Sequence, residues 1–144
     1  MSLYKLFETD PQAEEQGVIL NYGTSRVTVA RAGGANKAYR KMLEAEMKPY
    51  QKLLSAGVFT NDQAEEVLKL VAAKTLVKNW EVLRDGQWVK GIDNPEEGEP
   101  PLPFTVDNVL LTFNNLDDVY RDIRDNAQSS TLYRLSLREA AAGN

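Results

Sequence analysis

At Gly33-Gly34 the hydrophobic period of this chain switches from two residues to about 3.6. A chain that makes that switch folds as neither an all-α nor an all-β protein. On the N-terminal side, RVTVAR (26–31) alternates, with Val27 and Val29 on one face and Arg26 and Thr28 on the other. GVILNY (17–22) is β-prone, and Gly23-Thr24-Ser25 between the two runs is a turn signal, so a hairpin is predicted. Beyond the glycines, Ala35, Ala38, Tyr39, Met42, Leu43, Met47, Tyr50, Leu53 and Leu54 recur at helical spacing. Pro49 lies inside that pattern and removes a backbone donor, which predicts a break near residues 46–48.

The rest of the chain repeats the alternation of helix and strand. Thr60-Asn61-Asp62-Gln63 has capping-box form and opens a helix with Ala64, Val67, Leu68, Val71, Ala72, Thr75 and Leu76 as its apolar stripe, predicted to run to about Lys78. Trp80–Leu83 and Trp88–Ile92 flank Asp85-Gly86, a strong hairpin turn signal. The stretch NPEEGEPPLP (94–103) holds four prolines and three glutamates and is read as an exposed connector. Thr105 and Asp117 are the expected caps of a third and a fourth helix, and Leu132–Ala142 is read as a last amphipathic helix or tail. The expected fold is α+β and predominantly α-helical, with four to five helices and two small β-hairpins. Its expected divisions are a flexible N-terminal arm (1–16), one globular domain (17–131) with a Pro/Glu-rich loop at 93–103, and a C-terminal amphipathic segment (132–144).

Composition bears mainly on function. The 144 residues include no histidine and no cysteine, the side chains behind most nucleophilic, general-base and transition-metal chemistry near neutral pH. A binding protein is therefore expected rather than an enzyme, with no catalytic residue, metal or cofactor. No G-x-x-x-x-G-K-[ST], G-x-G-x-x-G or G-x-S-x-G motif is present. A carboxylate-dependent hydrolase remains the enzymatic alternative, but none of the 21 acidic residues stands out as a pair. The net charge of −4 argues against nucleic acid as a partner. No apolar run reaches the roughly 18 residues that a membrane span requires, and no signal peptide is visible, so a cytosolic location is expected.

Charge is distributed unevenly. Residues 26–54 carry seven basic side chains against Glu44 and Glu46, whereas residues 93–128 carry nine acids against Arg121 and Arg124. Two solvated faces account for this most simply, and the same asymmetry suits docking of one copy on another or on a partner. Asp117, Asp118, Asp122 and Asp125 lack the spacing of a calcium loop, and Arg121, four residues from both Asp117 and Asp125, points to ion pairs along a helix. Trp80 and Trp88 are read as core or clamp residues in preference to binding anchors.

Three segments together resemble the tail assembly chaperones of long-tailed bacteriophages and prophages. They are RVTVARAGGANKAYRKMLEAEMKPY (26–50), AAKTLVKNWEVLRDG (72–86) and PLPFTVDNVLLTFNNLDDVYRDIRDNAQSSTLYR (101–134), which follow the family's order. The chain departs from the pattern at Lys48, where an arginine is expected, and by inserting residues 87–100. The resemblance implies a non-enzymatic role: binding the tape-measure protein and keeping it soluble during tail morphogenesis. It also implies, in many such phages, a longer frameshifted form that recruits the major tail protein. The alternative is a virion structural component, such as a minor tail or head-tail joining protein. The residues expected to meet a partner are Arg31, Lys37, Arg40 and Lys41 on the basic stretch, and Leu132, Tyr133, Leu135, Leu137 and Arg138 on the C-terminal segment.

Overall fold

The structure is a computed structural model that describes residues 2–142, with side chains described through residue 139. Gly143 and Asn144, the end of the expected C-terminal segment, lie outside the described residues. The chain opens with two short helices, α1 (Leu3–Phe7) and α2 (Pro11–Gln16). Ser2 caps the first, and Asp10, followed by Pro11 at the first helical position, caps the second. The segment expected as an arm thus carries local helix signals in Ser2 and Asp10-Pro11.

Strands β1 (Val18–Asn21) and β2 (Ser25–Val29) form the first hairpin, and β3 (Val77–Arg84) and β4 (Gln87–Lys90) the second. Asp85 and Gly86 both adopt positive φ, 51° and 77°, as a two-residue I′ turn requires. The expectation of two separate hairpins is corrected by the pairing of β2 with β3, which joins all four strands into one antiparallel sheet in the order β1-β2-β3-β4. An isolated hairpin is marginal in water. Here Val27 and Val29 of β2 stand beside Trp80 and Val82 of β3 on a shared apolar face that neither hairpin could bury alone. The helix predicted from Thr60 to about Lys78 correspondingly stops at Thr75, and Val77 pairs with Val29.

The helices are also more numerous than the expected four to five. Pro49 splits the long helical pattern into α3 (Lys37–Met47), a 3-10 turn (Lys48–Tyr50) and α4 (Gln51–Ser55). Helix α5 (Asn61–Thr75) begins with the complete capping box, Thr60 Oγ1 accepting from the Gln63 amide and Gln63 Oε1 from the Thr60 amide. Then follow α6 (Val106–Asn115), capped by Thr105, α7 (Asp117–Gln128), a 3-10 turn (Ser130–Tyr133) and α8 (Leu135–Ala142). Leu116, not Asp117, occupies the cap position of α7, and it supplies no side-chain cap. Among the described residues, no helix is long and apolar enough to cross a membrane.

Helices α5, α6 and α7 cover the apolar face of the sheet. Leu76, Val109, Phe113, Tyr120, Ile123 and Ala127 meet Val27, Val29, Trp80 and Val82 in one buried cluster, with the Phe113 and Tyr120 rings tilted at 5.2 Å between centroids. The tryptophans part company. Trp80 points into this core, whereas Trp88 lies on the opposite sheet face beneath the Arg26 guanidinium, 4.3 Å away, which also pairs with Glu81 at 2.7 Å.

Candidate partner-binding surface

The two chain ends meet on one side of the molecule. The Tyr133 ring is fully buried, and its hydroxyl donates to the Val29 carbonyl at 2.8 Å. Burial pushes this phenol well above its ordinary pKa. From that anchor the backbone docks on the N-terminal segment: the Asp10 amide donates to the Tyr133 carbonyl at 2.8 Å, and the Leu135 amide donates to the Glu8 carbonyl at 2.9 Å. Thr9 and Arg134 form an isolated antiparallel bridge. Helix α1 is thus placed by the C-terminal segment. Yet Leu3, Tyr4 and Phe7 are 72%, 82% and 60% exposed, and Leu6 is exposed as well. The Arg134 guanidinium lies 4.9 Å from the Phe7 ring centroid, and Leu3, Tyr4, Phe7 and Glu8 line an open depression of about 360 Å³.

A helix of five residues has too little perimeter to bury four large apolar groups against one neighbour. Single exposed apolar residues are normal, whereas four on one short helix make a candidate interaction surface. Leu137 is exposed on α8, while Leu132, Leu135 and Arg138 are half-buried. Of the C-terminal residues expected to meet a partner, Tyr133 instead holds the segment to the core. The apolar residues of α1 carry no periodic signal over five positions, so sequence reading missed them.

The basic residues sit elsewhere. Arg31 pairs with the buried carboxylate of Glu14, and its amide donates to the Glu14 carbonyl at 2.9 Å, which ties α2 to the end of β2. It is therefore engaged within the fold. Gly34, at φ 55°, passes so close to that carboxylate that a Cβ would stand 2.0 Å from Glu14 Oε2. Asn36 is buried and directs its amide to the Arg31 and Thr75 carbonyls, at 2.9 and 3.1 Å, instead of capping α3. Lys37, Arg40 and Lys41 then project from the first turns of α3 into solvent. With Gly33, Gly34 and Glu44 they line a cavity of about 250 Å³, and none of the three pairs with an acid among the described residues.

The acidic run of α7 is largely engaged in pairs. Asp117 accepts from Arg121 Nε at 2.6 Å and faces Lys69 at 3.3 Å; the bonds to these two cations hold its carboxyl below the usual range. Asp125 meets Arg124 and not Arg121, and Asp122 accepts from the Tyr22 hydroxyl. Among the described residues, no group of three or more potential metal ligands converges.

Residues 34–144 match the model of the YdaY prophage protein family. The chain belongs to that family. No curated protein and no solved structure matches it. The YdaY family match covers α3 through α8, and so includes Lys37, Arg40, Lys41 and the segment from Leu132 to Arg138. Helix α1 and Arg31 precede it.

Proposed function

We propose that this prophage protein is a tail assembly chaperone that binds the tape-measure protein and keeps it soluble during tail morphogenesis, acting without catalysis. The observation that carries the proposal is the ordered resemblance of residues 26–50, 72–86 and 101–134 to such chaperones, in a chain that belongs to a prophage family. The uncovered apolar side chains of α1 support it, because a long amphipathic helical partner needs a surface of that chemistry on which to seat. The basic face of α3 stands apart from that surface in sequence and supplies charge for orienting a partner.

A chaperone leaves before the particle is complete, whereas a virion component stays. The test is quantitative mass spectrometry of the induced lysate and of purified particles from the same prophage. The chain is expected among the soluble lysate proteins and absent from particles at any stoichiometric level. A fixed copy number per particle would overturn the proposal in favour of a structural tail or joining protein.

A further inference from the structure

A cleft opens between the β1–β2 turn and the junction of α6 and α7, and its volume is about 210 Å³. That is below the ~300–1,000 Å³ typical of small-molecule sites and suits a single side chain. Trp80, Leu116 and Val119 contribute apolar wall, and Tyr22 stands at the rim with its hydroxyl on Asp122. One carboxylate, Asp93, also lines the cleft. Ser25 Oγ lies 2.7 and 2.9 Å from its two oxygens, and Trp80 Nε1 donates to Oδ2 at 3.0 Å.

These contacts hold the carboxylate in place without neutralising it. Ser25 and Trp80 each bring one proton, which leaves about half of the acceptor sites of an ionised carboxylate open. No ion pair among the described residues reaches Asp93. The charge is half-buried beside apolar walls, in the stretch where nine acids outnumber two bases, so it favours a cation that arrives without bulk water. The serine hydroxyl already occupies the fork between the two oxygens, the position that a bidentate guanidinium needs. A compact ammonium on an alkyl stem meets both requirements: four methylenes against the tryptophan and aliphatic walls, and a point charge at the remaining lone pairs.

We infer that the Asp93 cleft is a docking site for a lysine side chain presented by a partner protein. This goes beyond the chaperone proposal, since it names the chemistry of the side chain and holds whichever protein presents it. The probe is n-butylammonium, with n-butanol as its uncharged counterpart, titrated into the full chain while the Trp80 indole N–H resonance is followed by NMR. Butylammonium is expected to shift that resonance saturably in the millimolar range and more weakly at high salt, and butanol to leave it in place. Asp93→Asn keeps an acceptor for Trp80 and removes the charge; Leu116→Trp adds bulk at an exposed wall position of the cleft. Each is expected to weaken binding at least tenfold. Equal shifts from both probes would reduce the cleft to an apolar hole, and no shift from either would reduce Asp93 to a structural pin. Retention of butylammonium affinity within about twofold in folded Asp93→Asn would equally overturn the inference.

Discussion

Replacing Tyr133 by Phe removes one oxygen and nothing else, and it tests whether the C-terminal segment is held to the core as described. The ring is fully buried and keeps its packing, so the change isolates the hydroxyl that donates to the Val29 carbonyl at 2.8 Å. The Val29 carbonyl also stands in the β1–β2 ladder opposite Val18, so deleting the donor removes one neutral hydrogen bond without orphaning the acceptor, which costs about 1 kcal/mol. At roughly 2.1 cal/mol/K per residue, a chain of this length unfolds with an entropy near 0.3 kcal/mol/K, so 1 kcal/mol lowers Tm by about 3 °C. The assay is thermal unfolding followed by far-UV circular dichroism at neutral pH, with Leu137→Ala as an exposed control on α8 expected to move Tm by less than about 2 °C. A Tyr133→Phe midpoint within about 1 °C of wild type would refute the reasoning, because the hydroxyl would then be finding water in the native state as readily as in the unfolded one.

The same phenol sets an alkaline limit. Its folded pKa is raised by burial above the ordinary value of about 10, so the native state holds a proton that the unfolded chain releases. Stability is fully present below about pH 10 and falls as pH rises beyond it; the decline, read from urea midpoints between about pH 9 and 11, is expected to be shallower in Tyr133→Phe. Thr60→Ala breaks the capping box of α5 and is expected to cost about 1 kcal/mol, or about 3 °C in Tm. Gly34→Ala forces a Cβ onto the Glu14 carboxylate at a left-handed backbone position. It is expected to lower Tm by more than Thr60→Ala does, with Gly23→Ala, which meets no neighbour within 4 Å, as the milder comparison. Converting Leu3 and Phe7 to Ser is expected to leave Tm within about 2 °C, since both side chains are already exposed, and to abolish co-purification of the tape-measure protein.

Local signals in the sequence carried much of the fold. The capping box at Thr60–Gln63, the Asp85-Gly86 turn, the break around Pro49 and the Thr105 cap act within a few residues, and the structure shows each of them. What escaped was long-range. The pairing of Val27 with Trp80 joins residues more than fifty positions apart, and nothing in either strand's alternation names its partner. The end of α5 moved for the same reason, because the ladder with β2 recruited Val77 into a strand that helical periodicity would have continued. At the candidate surface, Lys37, Arg40 and Lys41, expected to meet a partner, are exposed on α3. Arg31 and Tyr133 read equally well as surface residues until the Glu14 carboxylate and the Val29 carbonyl were found opposite them. The four apolar residues of α1 form less than two turns, too short a run for a hydrophobic period to show which side faces inward.

Whether this chain keeps a tape-measure protein in solution is tested most directly by co-expressing it with the tape-measure protein of the same prophage. The soluble fraction would be measured with the wild-type chain, with the Leu3→Ser/Phe7→Ser variant, and with no chain. A chaperone predicts a soluble tape-measure protein that co-elutes with the wild-type chain and aggregates in the other two conditions. A tape-measure protein equally soluble, or equally insoluble, in all three would contradict that function for this chain.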